Sequence, residues 1–246
     1  MMRKNFYLIL LALFIGVLLV ASCSSENQTT EIAHQQLSWH KQREKPFGTF
    51  DYPEISEDEA LDLLQNKFSV KVPQIIQQTK HLFDEKITTK ELEEKKAEYT
   101  LYASGNELLV RGYYPIYKGE ELVVFALIDL KYSFDPEKKE ARLASQSLAL
   151  SNYSQEEAYP KNNFDELLLA VAQIIDIPKG KADVAIKNFN EDYKEVDKRP
   201  ASKTAVVYGN DNEAEAKTLI SQTLRVGFND KREFREIHAA IIDYTE

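Results

Sequence analysis

Cysteine is almost absent, with one in 246 residues. That excludes an intrachain disulfide, a cysteine-rich metal site and CxxC redox chemistry. Histidine is scarce as well: His34, His40, His81 and His238 contain no pair four apart and no HExxH, so a helix-borne zinc site lacks its ligands. The eight glycines are scattered and form neither GxGxxG nor GxxxxGK[ST], which removes the usual phosphate-cradling loops. No GxSxG elbow presents a serine nucleophile. Basic side chains are the minority, 31 against 40 acidic, for a formal charge of −9. This balance argues against non-specific nucleic-acid binding. No cofactor and no metal is expected from these motifs, and no catalytic residue stands out.

What is present begins at the N-terminus. Arg3 and Lys4 precede an unbroken apolar run of 15 residues, Phe6 to Val20. A bilayer-spanning helix needs about 20 residues. The run instead has the length of the apolar region of a secretory signal. It ends in Val20-Ala21-Ser22-Cys23, which resembles the lipobox of bacterial lipoproteins. The resemblance implies that Cys23 carries a diacylglyceryl thioether and that cleavage falls between Ser22 and Cys23. It also implies a location on the extracytoplasmic side of the cell membrane, held there by lipid. Two acyl chains on one residue make a firm anchor, whereas a single chain binds reversibly. Loss of residues 1–22 removes two basic groups, taking the formal charge from −9 to −11. A body so acidic is repelled from an anionic membrane surface.

The signal peptide is therefore read as residues 1–22 and a flexible tether as 23–55. Ser24 to Thr30 is polar and without periodicity. Trp39, Phe47, Phe50 and Tyr52 lie in the later part, and so much aromatic surface favours packing on the body. The other reading of Trp39, with His34 and His40, is a docking segment.

Beyond residue 55 the chain reads as two related halves, 56–152 and 163–246. Ser56 with Glu59 forms a capping-box pattern before Ala60, Leu61, Leu63, Leu64 and Phe68. Asn163-Phe164-Asp165-Glu166 repeats that logic before Leu167, Leu168, Val171 and Ile174. Pro73 and Pro178 each follow the first helix of a half and open a second one, near 73–83 and 181–193. Strands come next in both halves. Leu122, Val124, Ala126, Ile128, Leu130, Tyr132 and Phe134 alternate with period two. Asp135 to Lys138 reads as a hairpin turn, and Ala141 to Leu150 returns. In the second half Leu224, Val226 and Phe228 lead to a turn, and Ile237 to Tyr244 returns. The spacing in 231–246 also permits a helix; the first half favours a strand. The expected fold class is α+β: two related modules, each a helix pair packed on an antiparallel sheet of three to four strands. The pattern resembles folds in which a helix pair packs on a meander, such as the beta-lactamase inhibitory protein-like group.

One constellation suggests recognition. Tyr113, Tyr114, Tyr117 and Tyr132, with Arg111 and Lys131, concentrate amphipathic surface in two strands. The same tyrosines are also ordinary sheet residues. Asn188, Asn190 and Asp192 alternate like the start of a calcium loop, without the glycine and final glutamate of an EF-hand. Asn210-Asp211-Asn212 reads as a turn.

The function expected is a non-enzymatic, lipid-anchored surface protein that binds an envelope protein or polymer. A solute-binding lipoprotein of an import system is an alternative, as is an envelope enzyme with an unrecognised site. Import proteins usually alternate strands with helices, whereas the strands here come in consecutive runs.

Overall fold

The computed structural model describes residues 39–153 and 163–245. Ser22, Cys23 and His34 lie outside the described residues, as do the signal peptide and the tether up to residue 38. The architecture is mixed α+β, built on one antiparallel sheet of ten strands.

The strands are β1 His40–Gln42, β2 Gly48–Ser56, β3 Glu93–Glu94, β4 Glu98–Gly105, β5 Glu107–Lys118, β6 Glu121–Asp135, β7 Glu140–Asn152, β8 Thr204–Gly209, β9 Ile220–Phe228 and β10 Phe234–Asp243. The helices are α1 Glu57–Asp62, α2 Ile75–Leu82, α3 Phe164–Ile174, α4 Lys179–Asp192 and α5 Asp211–Ala216. Across the sheet the order is β2-β4-β5-β6-β7-β10-β9-β8, with β1 on β7 and β3 on β5.

Local chemistry accounts for the elements. The Ser56 side chain accepts the Glu59 N–H and opens α1, and Asn163 does the same for Glu166 at α3. Both α1 and α2 end in a wide π-helical turn, at Leu63–Lys67 and Phe83–Ile87. Val124, Ala126, Ile128, Leu130, Tyr132 and Phe134 are all buried, so the alternation in β6 points one face into the core. Asp135 Oδ1 accepts the backbone N–H groups of Glu137 and Lys138 in the β6–β7 hairpin.

Five sequence readings change. The segment read as a tether to residue 55 joins the sheet from His40 onward, because β1 pairs with β7 and β2 with β4. Trp39 packs edge-on against Tyr132 at 6.0 Å, so its indole belongs to the body. The two halves do not keep separate sheets: β7 pairs with β10 from Ser145 to Ser151, and the ladder runs through. The C-terminal segment is the strand β10, as the first half suggested. Asn188, Asn190 and Asp192 fall within α4, where a calcium loop cannot form, and Asn210-Asp211-Asn212 opens α5 instead of a simple turn.

The core lies on the side covered by α1 to α4. It includes Leu64, Phe68, Ile75 and Phe83 from the first helices and Leu168, Val171, Ile186 and Phe189 from the later pair. Short α5 sits on the other face, over the end of β9, where Ser221 donates to Asp211 at 2.8 Å. The remainder of that second face carries no helix among the described residues.

Candidate functional site

The uncovered face is organised by strand register. Thr100, Arg111, Asp129, Ser147, Ala240 and Thr223 form one cross-strand row. The adjacent row is Glu98, Tyr113, Leu127, Ala149, His238 and Arg225. Large side chains occupy β5 and β6. Small ones, Ser145, Ser147, Ala149 and Ala240, occupy β7 and β10. The result is a trough with a hydroxyl- and methyl-lined floor. Part of it is an open groove of about 560 Å³ lined by Tyr102, Leu109, Arg111, Asp129, Lys131 and Ser147, among others.

Charges on this face are mostly paired. Arg111 Nε meets Asp129 Oδ1 at 2.7 Å and its Nη2 meets Oδ2 at 2.9 Å. This two-point pairing fixes both planes. Lys131 Nζ lies 2.5 Å from Glu107 Oε1. Ser151 donates to Glu236 Oε2 at 3.2 Å. Arg225 differs: its Nε is shut from solvent and has no hydrogen-bond partner among the described residues. His238, directly opposite it on β10, has its pKa lowered, first by burial and also by Arg225; Glu236 and Asp129 act in the opposite direction.

Aromatic rings flank the trough at one side. Tyr113 and Tyr153 each contact Phe125 with ring centroids 5.2 Å apart. Arg235 lies over Tyr153 at 5.1 Å and Lys95 over Tyr117 at 3.9 Å. Burial, with Tyr117, Glu98 and Tyr153 nearby, raises the Tyr113 pKa.

The structure divides the expected tyrosine constellation. Tyr113 and Tyr117 accompany Arg111 on the open face. Tyr114 and Tyr132 are fully buried on the other side, so they offer no surface to a ligand. The physical reason is the period of two: neighbours in a strand point to opposite faces. Tyr132 donates to the Lys71 carbonyl at 2.7 Å. Tyr114 bonds Glu57 Oε2 at 3.0 Å and shares a hydrogen bond with the Tyr99 hydroxyl, while Lys80 holds Glu57 Oε1 at 2.8 Å. This chain ties β4 and β5 to α1 and α2. Burial pushes both Tyr99 and Tyr114 well above the usual phenol range.

No protein-family model, curated protein or solved structure matches the chain. Chemistry on the open face can still be judged from its contacts. Ser147, His238 and Asp129 bring the residue types of a serine hydrolase to one trough. No hydrogen bond joins Ser147 to His238 among the described residues, and Asp129 is committed to Arg111. No group of three or more His, Cys, Asp or Glu side chains there could hold a metal ion, among the described residues. No helix among them is long and apolar enough to cross a membrane. The arrangement can hold a ligand through stacking, hydroxyls and an available guanidinium.

Sequence reasoning missed Arg225 and His238 as a pair. Their signal was the alternation of Leu224, Val226 and Phe228, which sends Arg225 to the opposite face. That β9 lies beside β10 was a further step, supplied by the hairpin.

Proposed function

We propose that the chain is a lipid-anchored, extracytoplasmic binding protein whose ligand surface is the open face of the sheet. The observation that carries the reading is the one-sided cover: α1 to α4 bury one face, and the other exposes Tyr102, Leu109 and Tyr153 beside the trough. Exposed aromatic and apolar side chains gathered on one face of a sheet mark interaction sites. The anchor is the diacylglyceryl group on Cys23, and the partner is an envelope protein or polymer. The body binds and does not turn over substrate.

The two halves are read as related copies of one helix-pair-and-sheet module. Each half begins with a capped helix and a second helix and continues into antiparallel strands. β7 and β10 meet antiparallel, and β6-β5 and β9-β8 extend outward from them in mirrored order. This order supports an internal pseudo-two-fold relation, with β4 the strand that the shorter half lacks.

Two measurements test the proposal. In a bacterium that processes lipoproteins, mass spectrometry of the mature N-terminus should find diacylglyceryl-Cys23. Cys23→Ala should leave the membrane fraction; persistence there with an unmodified residue 23 would sink the anchor. On intact cells, a photoreactive group at position 109 should cross-link to one envelope component, and one at position 187 on α4 should not. Equal labelling from both positions would remove the open face as the ligand surface.

A further inference from the structure

Arg225 is a cation on the open face with no hydrogen bond or ion pair to an anion among the described residues. Its Nε is buried and unpaired among the described residues, an arrangement that opposes folding, and an incoming oxygen would meet the Nη edge of the guanidinium. The nearby carboxylates are engaged elsewhere. Asp129 is held by Arg111, and Glu236 accepts from Ser151. Arg225's register partners are His238 on β10 and Val206 on β8, and its flanking residues on the same face are Thr223 and Gly227. Thr223 is short, whereas the space over Gly227 is taken by Glu236, whose Cβ would stand 3.3 Å from a Cβ placed there.

The ligand class follows from the surroundings. The trough crosses β7, β10 and β9, all paired on both edges, so an extended peptide cannot dock there by adding a strand. Recognition falls to side chains. Ser145 and Ser147 supply hydroxyls, and Tyr113 lies four strand spacings from Arg225, about 19 Å away. Ring stacking at one end, hydroxyls along the floor and a planar cation at the other match a short run of sugar units with an acidic group. The chain's charge of −9 disfavours a dense polyanion, so one or few acidic groups fit better than many.

Resting on the reading of the open face as the ligand surface, we propose that Arg225 and His238 form an oxyanion subsite for an acidic sugar of an envelope glycan. The guanidinium takes two oxygens of a carboxylate or phosphate ester, and the His238 imidazole donates to a third position or to a neighbouring hydroxyl.

The test uses the full chain in detergent and calorimetric titration with three probes: tetragalacturonic acid, its neutral methyl ester, and pentamannose 6-phosphate. At least one acidic probe should bind tenfold or more tightly than the neutral ester. Arg225→Gln should erase that preference, and Lys187→Gln on α4 should keep it. Because the native guanidinium is unpaired, Arg225→Gln should melt at or above the parent temperature. Whichever acidic probe prevails separates a carboxylate from a phosphate source. Equal binding of acidic and neutral probes, lost together in Tyr113→Ala, would overturn the subsite and leave the face standing. No binding by any probe would overturn the subsite too, and cross-linking from position 109 then judges the face by itself. A lower melting temperature for Arg225→Gln with equal loss of all probes would make Arg225 a structural residue and overturn the proposal.

Discussion

The Tyr99 ring lies over Gly112, its register partner on β5, so closely that a Cβ at Gly112 would stand 2.8 Å from the ring. The absent side chain lets the Tyr99 hydroxyl reach Tyr114 and, through it, Glu57. Gly112→Ala should therefore displace the ring and loosen the link between sheet and helices. Overpacking of this kind costs about 1–3 kcal/mol. Chemical denaturation of Gly112→Ala against the parent checks this. An unchanged midpoint would mean that the ring moves freely and the chain Tyr99–Tyr114–Glu57 contributes little.

Asp176 stands just beyond α3 with φ 55°, and the turn closes through Ile177 N–H to Ala172 O and Asp176 N–H to Gln173 O, both 3.0 Å. This is the Schellman arrangement, which favours glycine or asparagine at that position. The carboxylate also sits at the negative end of the helix. Burial raises its pKa to about 6 from 3.8. The folded state thus resists the charged form. The contribution to stability is fully present below about pH 4 and is lost as pH rises through about 6. Asp176→Asn removes the charge and tolerates the backbone. It should stabilise by about 1 kcal/mol at pH 7.5, a figure discounted for partial exposure, with the gain gone at pH 4. Thermal melts at the two pH values read the difference. A gain of equal size at both would assign it to the backbone alone.

Arg142 and Asp243 form a largely buried ion pair, Nη1 to Oδ2 at 3.1 Å, between β7 and the end of β10. Asp243 Oδ1 also accepts from the Thr245 N–H and hydroxyl. Removing one member strands the other charge away from water. Arg142→Met or Asp243→Asn alone should cost about 3–5 kcal/mol. The double variant should recover part of that loss, as measured in a double-mutant cycle. Additive losses would show that the two charges do not interact.

Much of the secondary structure was legible because it depends on near neighbours. The period of two in β6, the caps at Ser56 and Asn163, and the turn at Asp135 are local events, and each appears where the residues call for it. Tyr113 and Arg111 were legible as surface residues for the same reason. Tyr114 and Tyr132 were misplaced because a cluster of like residues was read along the chain, whereas a strand sorts them by parity. The end of the tether was misplaced because β1 and β2 find their partners about 100 and 50 residues away, at Arg142 and Ala103. Nothing near His40 or Phe50 announces those partners.

By itself, the sequence marked helices α1 to α4 and strands β4, β6, β7, β9 and β10, and it offered Cys23 as the single thiol for an anchor. It did so through composition and spacing, which act over one or two turns. The tertiary structure alone decided that β7 meets β10, that the two halves share a sheet, and that Arg225 faces His238 in a trough away from the core. Those relations come from burying one face of a long sheet under four helices. Strand pairing and burial are set between distant residues, and only the folded chain brings them together.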